Sequence, residues 1–150
     1  MVSAATLREV TLTLPMLPDM EIAASKTVTA LAEFMEMSPD RIDEVRMAVL
    51  EACINAFEHS RSEDGKVLLT FSVLGKETEP EKLMIRIEDS GVGFVPGEVA
   101  EPNIEDKLKA KSKRGWGLKI IRSLMDEVDI RSTSDGTTVI MSKYRGERGD

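Results

Sequence analysis

The chain has 150 residues, 41% hydrophobic and 31% charged, which suits one compact domain with its own core. No apolar run is long enough to cross a bilayer, the start from Met1 to Val10 lacks the basic and apolar pattern of a secretory signal, and a formal charge of −7 disfavours non-specific nucleic-acid binding. The single cysteine, Cys53, rules out an internal disulfide and agrees with a reducing cytoplasm, and its neighbours Ala52 and Ile54 read it as core packing rather than a nucleophile.

The segment from Leu7 to Leu14 sets Val10, Leu12 and Leu14 against Thr11 and Thr13, the alternation of a strand, and Pro15 and Pro18 end it. From Asp19 to Met35 the pattern is helical, with Ile22, Ala23, Ala30, Leu31 and Phe34 near one stripe. Ser38-Pro39 opens a second helix, Ser38 as N-cap and Pro39 at the first position, where its missing N–H costs nothing. That helix runs to about His59, and a polar turn fills Ser60 to Gly65. Two strand-like runs follow, Lys66 to Leu74 and Leu83 to Glu88, with a charged turn around Gly75 to Glu81 that suggests an antiparallel hairpin with a generous loop. After Asp89 to Gly93, the stretch from Pro96 to Arg114 is rich in Pro, Glu and Lys. So long a segment without a clear element is unusual in a small domain and reads as a functional lid over 96–114. A third helix from about Gly117 to Asp126 carries Leu118, Ile121, Leu124 and Met125. Two strands, Val128 to Ser134 and Thr137 to Tyr144, close the chain around a Ser134-Asp135-Gly136 turn. This order predicts an α+β fold: a two-layer sandwich with a mixed, mainly antiparallel sheet covered on one face by helices.

On the second helix, Glu44, Glu51, Asn55 and Glu58 fall on one narrow strip with His59 at its edge, while most of the remaining circumference is apolar. A solvated stripe is the ordinary reading. Against it, the strip holds three carboxylates and an amide with no cation to pair with them, and small Ala48 and Ala52 leave room beside it. An Asn carbonyl with phosphate and water oxygens suits Mg²⁺, and Glu51, one turn earlier, could orient or deprotonate an attacking hydroxyl. In Asp89-Ser90-Gly91-Val92-Gly93, alternate glycines permit a sharp turn and close approach to a planar ligand, and an Asp at a strand end can accept from an exocyclic amino group; a simple tight turn explains the string equally well. Gly115 and Gly117 flank Trp116 just ahead of a helix start, where free N–H groups attract anions, and Lys111, Lys113 and Arg114 precede them; a solvated basic patch would look the same. Trp116 itself reads as a packing anchor, and Asp135-Gly136-Thr137-Thr138 as a hairpin turn.

Taken together the strings are more specific. EACINAFEH at Glu51–His59, EDSGVGF at Glu88–Phe94, RGWGLKII at Arg114–Ile121 and DGTTVIM at Asp135–Met141 resemble, in order, the N, G1, G2 and G3 boxes of the gyrase, chaperone, histidine-kinase and mismatch-repair ATPase superfamily. The short length and the EAxxNAxxH form look most like the bacterial anti-sigma factor serine/threonine kinases, over nearly the whole chain. The resemblance implies a single histidine kinase-like ATP-binding domain over 1–150. Asn55 would hold the Mg²⁺ that bridges the ATP phosphates, and Glu51 would be the catalytic base. Asp89 would bind the adenine amino group in a pocket shaped by Gly91 and Gly93. Gly115, Gly117 and Leu118 would close the phosphate side, with Arg114 as a γ-phosphate contact, and Thr137 or Thr138 would support adenine; His59 would be structural or line the pocket. It also implies transfer of the γ-phosphate to a Ser or Thr of an anti-sigma antagonist protein, competition between that antagonist and a sigma factor, a homodimer, and a cytoplasmic location with neither direct nucleic-acid nor membrane contact. A sensor histidine kinase is disfavoured, because no dimerisation helix with a phosphoacceptor His precedes the boxes. The alternative from another class is a non-catalytic ATP-binding switch that acts by sequestration. Glu51 discriminates between the two, since an acidic residue there keeps phosphotransfer chemically possible.

Overall fold

The second helix begins where the Ser38-Pro39 pair says it should. Ser38 Oγ accepts the backbone N–H of Arg41 at 3.3 Å, satisfying one of the donors that a helix start leaves orphaned. The computed structural model describes residues 5–59, 64–89, 117–133 and 136–146. Within them run β1 (Ala5–Pro15), α1 (Glu21–Phe34), α2 (Pro39–His59), β2 (Lys66–Lys76), β3 (Glu79–Asp89), a helix α3 over 117–124, β4 (Glu127–Thr133) and β5 (Gly136–Tyr144). The strands form one sheet in the order β1-β2-β3-β5-β4, and each pairing is antiparallel. The sequence allowed a mixed sheet; among the described strands it is antiparallel throughout.

Alternation fixes which face of the sheet is covered. Val67, Leu69, Phe71 and Val73 of β2 and Leu83, Ile85 and Ile87 of β3 are all buried, and register places them opposite one another and opposite Val10, Leu12 and Leu14 of β1. On β5 the same face carries Val139, Met141 and Lys143. The helices supply Ala24, Val28 and Ala32 from α1, Val45, Ala48, Val49 and Cys53 from α2, and Ile121 from α3. Phe71 is fully buried mid-sheet, where truncation to Ala typically costs about 3–5 kcal/mol.

Three expectations change. The β2–β3 connection is not generous: Lys76 pairs with Glu79, so Glu77-Thr78 alone makes the turn, with Glu77 at φ 58° and a bulge at Leu74/Gly75 absorbing the offset. On α1 the buried stripe is the small one, Ala24, Ser25, Val28 and Ala32, because small residues allow α1 to lie close against α2. Of the bulky residues of the expected stripe, Leu31 packs against the core, but Ile22 is 46% exposed and Phe34 51%, the latter under the Arg8 guanidinium at 5.4 Å. On α2, Met47 and Ile54 face solvent, although the apolar circumference predicted burial there.

Candidate functional site

Topology gathers the sequence motifs at one end of the sandwich. The chain leaves α2 at His59 and enters β2 at Lys66, so the end of α2 and the start of β2 share an edge. Val67 pairs with Asp89, which pairs in turn with Thr137, so the end of β3 and the start of β5 lie at that edge too. Asp89 follows Ile87 by two residues and therefore faces the helix layer. The start of α3 completes the group.

Gly117, buried and the first described residue of α3, lies against the α2 strip. A methyl group on it would stand 3.1 Å from Glu51 Oε1 and 3.9 Å from Asn55 Cγ and Nδ2. The lack of a side chain at 117 thus lets this turn of α3 come within reach of a carboxylate and a carboxamide. Glu51 and Asn55 are half-buried, and among the described residues no ion pair reaches Glu51. On the same stretch of α2, Cys53 points the other way, into the core. Burial, with a lesser push from the Glu21 carboxylate, raises its thiol to about 12.

Asp89 is held by β5: Thr137 donates its backbone N–H to Asp89 Oδ1 at 3.3 Å. Gly136 makes this approach possible. Its φ is 142°, and a Cβ there would fall 2.1 Å from the Asp89 carbonyl oxygen and 3.2 Å from Asp89 Oδ1. Between the two threonines, Thr137 lies opposite Asp89 on the helix side, whereas Thr138 pairs with Glu88 on the open face. Leu118 is half-buried beside the core. Gly91, Gly93, Arg114, Gly115, Trp116 and the expected lid over 96–114 lie outside the described residues, as does the side chain of His59.

One inference about the strip is corrected. Glu44 does have a cation: the Lys143 ammonium from β5 donates to Glu44 Oε2 and to the Leu124 carbonyl at the end of α3. The partner comes from 99 residues away in the chain, which is why the helix pattern alone gave no sign of it. The strip therefore divides into a Glu44 end bound to Lys143 and a Glu51–Asn55 end bordered by Gly117.

No group of three or more His, Cys, Asp or Glu suited to a metal ion occurs among the described residues. A Mg²⁺ at Asn55 would then draw most of its ligands from phosphate and water, which is how that ion is commonly held. Among the described residues, the Asn55 carboxamide beside Gly117 is the group whose chemistry fits such an ion.

Comparison with known proteins agrees with this architecture. Residues 14–143 match the model of the histidine kinase-like ATPase domain. A serine-protein kinase RsbW from Bacillus cereus (strain Q1) is 30% identical over 123 residues, covering 79% of this chain and 73% of the relative. The counterpart from Bacillus mycoides (strain KBAB4) is 29% identical over the same shares. The chain belongs to the histidine kinase-like ATPase domain family. Its resemblance to the anti-sigma factor kinases of that family is borne out by these relatives. Among solved structures, the RsbU and RsbW domains of Rv1364c from Mycobacterium tuberculosis align at a TM-score of 0.65 and 16% identity, over 95% of this chain and 34% of that one. The chain thus spans about a third of that solved chain. The histidine kinase domain from Erythrobacter litoralis EL346 aligns at 0.50 and 17%, over 86% of this chain and 61% of that one, and both likenesses show the fold.

For this member of the histidine kinase-like ATPase family, sequence reasoning missed two supports. Gly136 was legible only as a turn glycine, since its contact with Asp89 depends on the β3–β5 register. Lys143 carried no signal in the sequence, since its burial and its partner Glu44 follow from strand register.

Proposed function

We propose that the chain is an ATP-dependent protein serine/threonine kinase that acts as an anti-sigma regulatory factor, phosphorylating an anti-sigma antagonist protein and sequestering a sigma factor. The observation that carries this reading is the close approach of Gly117 to Glu51 and Asn55, which sets a carboxylate, a carboxamide and the α3 backbone around one point. The names of the Bacillus relatives support it.

In this reading Asp89, braced by Gly136 and Thr137, accepts from the adenine amino group, and Gly91 and Gly93 shape that pocket. Gly115, Gly117 and Leu118 border the phosphates, with Arg114 on the γ-phosphate. The Asn55 carbonyl ligates Mg²⁺. Bound Mg²⁺–ATP supplies the transferable phosphoryl group with its charge partly neutralised. Glu51 would orient the Ser or Thr hydroxyl of the antagonist and take its proton, as the hydroxyl oxygen bonds to the γ-phosphorus and the bond from that phosphorus to the β–γ bridging oxygen breaks, releasing ADP. Positioning and charge compensation do the rest, which is why few protein groups are needed. The single domain spans 1–150 with its lid over 96–114, and the protein works as a cytoplasmic homodimer.

The test is transfer of labelled γ-phosphate to candidate antagonist proteins from the same genome, by wild type and by Glu51→Ala. The expected result is label on a Ser or Thr of one antagonist, reduced about 100-fold or more in Glu51→Ala while ATP still binds. ATP binding without transfer to any candidate would replace the kinase by a non-catalytic switch. No ATP binding would remove the nucleotide site altogether.

A further inference from the structure

Lys143 is 4% exposed, on the covered face of β5 between α2 and the sheet. An ammonium group in such a place is costly to desolvate and persists only where its donors are used. Here it donates to Glu44 near the start of α2 and to the carbonyl of Leu124, the last residue of α3. That carbonyl is one of those a helix end leaves without an internal partner, and a cation there also suits the helix dipole. A second tie lies alongside: Asp126 donates its N–H to the Ser142 carbonyl at 3.0 Å, and Asp126 Oδ2 accepts from the Tyr144 N–H at 2.7 Å. The C-terminal end of α3 is thus moored to both α2 and β5. Its other end is Gly117, against Glu51 and Asn55. Its described part, 117–124, is about 10 Å long, two turns that move as one piece.

We infer that Lys143 is a positioning residue for the nucleotide site: by holding the end of α3 to Glu44, it sets how closely the Gly117 turn of α3 approaches Glu51 and Asn55. This rests on the proposed nucleotide-site reading for its consequence in transfer, but the mooring itself does not. Lys143 sits at the far end of α3 from the Glu51–Asn55 pair and touches none of the residues assigned to ATP. Its effect therefore passes through the helix, and it changes rate more than adenine recognition.

The experiment is amide hydrogen exchange, read by mass spectrometry on the full chain, with transfer and ADP affinity measured on the same samples. Lys143→Met is expected to speed exchange in α3 about tenfold while β2 and β3 stay protected. Transfer at saturating ATP is expected to fall about tenfold, with ADP affinity changed less than about twofold. The double variant Glu44→Leu, Lys143→Met replaces the pair by apolar groups and is expected to recover melting temperature but not slow exchange in α3. It also carries the test where Lys143→Met alone does not fold. Unchanged α3 exchange in Lys143→Met, or slow exchange and full transfer restored in the double variant, would overturn the inference. Fast α3 exchange in a protein whose wild type transfers no phosphate would leave the mooring standing and remove the kinase instead.

Discussion

At the end of the sandwich where α2 begins, charges are matched across elements. Lys143 meets Glu44 and the α3 carboxy end, Arg41 donates to the Tyr144 carbonyl at 3.0 Å and lies 3.9 Å from Asp126, and Lys82 meets Glu127 at 2.7 Å. At the other end, about 16 Å along α2, Glu51 and Asn55 face a glycine and Asp89 is held by a backbone N–H. The same helix strip serves both. What differs is the opposing group: a lysine that satisfies the carboxylate at one end, an empty side-chain position at the other. Matched charge gives a fixed joint. A carboxylate and an amide facing a glycine leave room for the ligand of the proposed function, which brings both negative phosphate and a cation. Stripes of like charge on a helix are therefore informative only once the opposing surface is known.

Beyond the loss of transfer expected for Glu51→Ala, three substitutions probe this contrast. Gly136→Ala should have the largest effect on stability. Its Cβ would press on the Asp89 backbone at a φ that side chains rarely adopt, which costs about 2–3 kcal/mol and shows as a lower urea midpoint together with weakened ATP binding. Gly117→Ala sharpens the comparison by separating site from stability. Ala favours the helix and its Cβ meets only the mobile end of Glu51, so the melting temperature should hold or rise slightly. ATP affinity, read by calorimetry, should nevertheless fall about tenfold as the carboxylate is displaced.

The smallest effect belongs to the matched end. The Lys82 hydrogen bond holds the Glu127 carboxyl below its ordinary value of 4.5, and the same bond raises Lys82 above 10.5. The Glu127 share of stability is present above the unfolded value and lost as pH falls through the folded one. The Lys82 share is present below 10.5 and lost as pH rises through its raised value. Glu127 is 53% exposed, so Glu127→Gln should cost only about 0.5 kcal/mol at neutral pH and lessen the decline of stability below pH 4.5, measured by denaturant melts across pH. A loss several times larger would mean that the far end is held by this pair more than by Lys143.

Much of the architecture was legible because local signals agreed with it. Ser38-Pro39 marked the start of α2, alternation in Leu7 to Leu14 marked β1, and the apolar and β-branched runs in Lys66 to Leu74 and Thr137 to Tyr144 marked β2 and β5. The turn at Glu77-Thr78 was hidden because a glutamate there takes the left-handed conformation while the nearby Gly75 drew attention to itself. The face of α1 was misread because bulk suggested burial, whereas closeness to α2 selected Ala24, Val28 and Ala32. In the site, the motif residues Glu51, Asn55 and Asp89 were visible as types with a chemistry. Their supports at Gly136 and Lys143 depend on strand register and helix placement, which no single sequence window contains.

The buried thiol of Cys53 has a use of its own. It sits between Glu51 and Asn55 on α2, and with its ionisation pushed to about 12 only about one thiol in ten thousand is charged at pH 8. An alkylating reagent therefore reacts only when α2 lifts from the sheet. Because this is the chain's one cysteine, the rate of that reaction is a clock for the opening of the helix that carries both residues, readable without attaching any label beforehand.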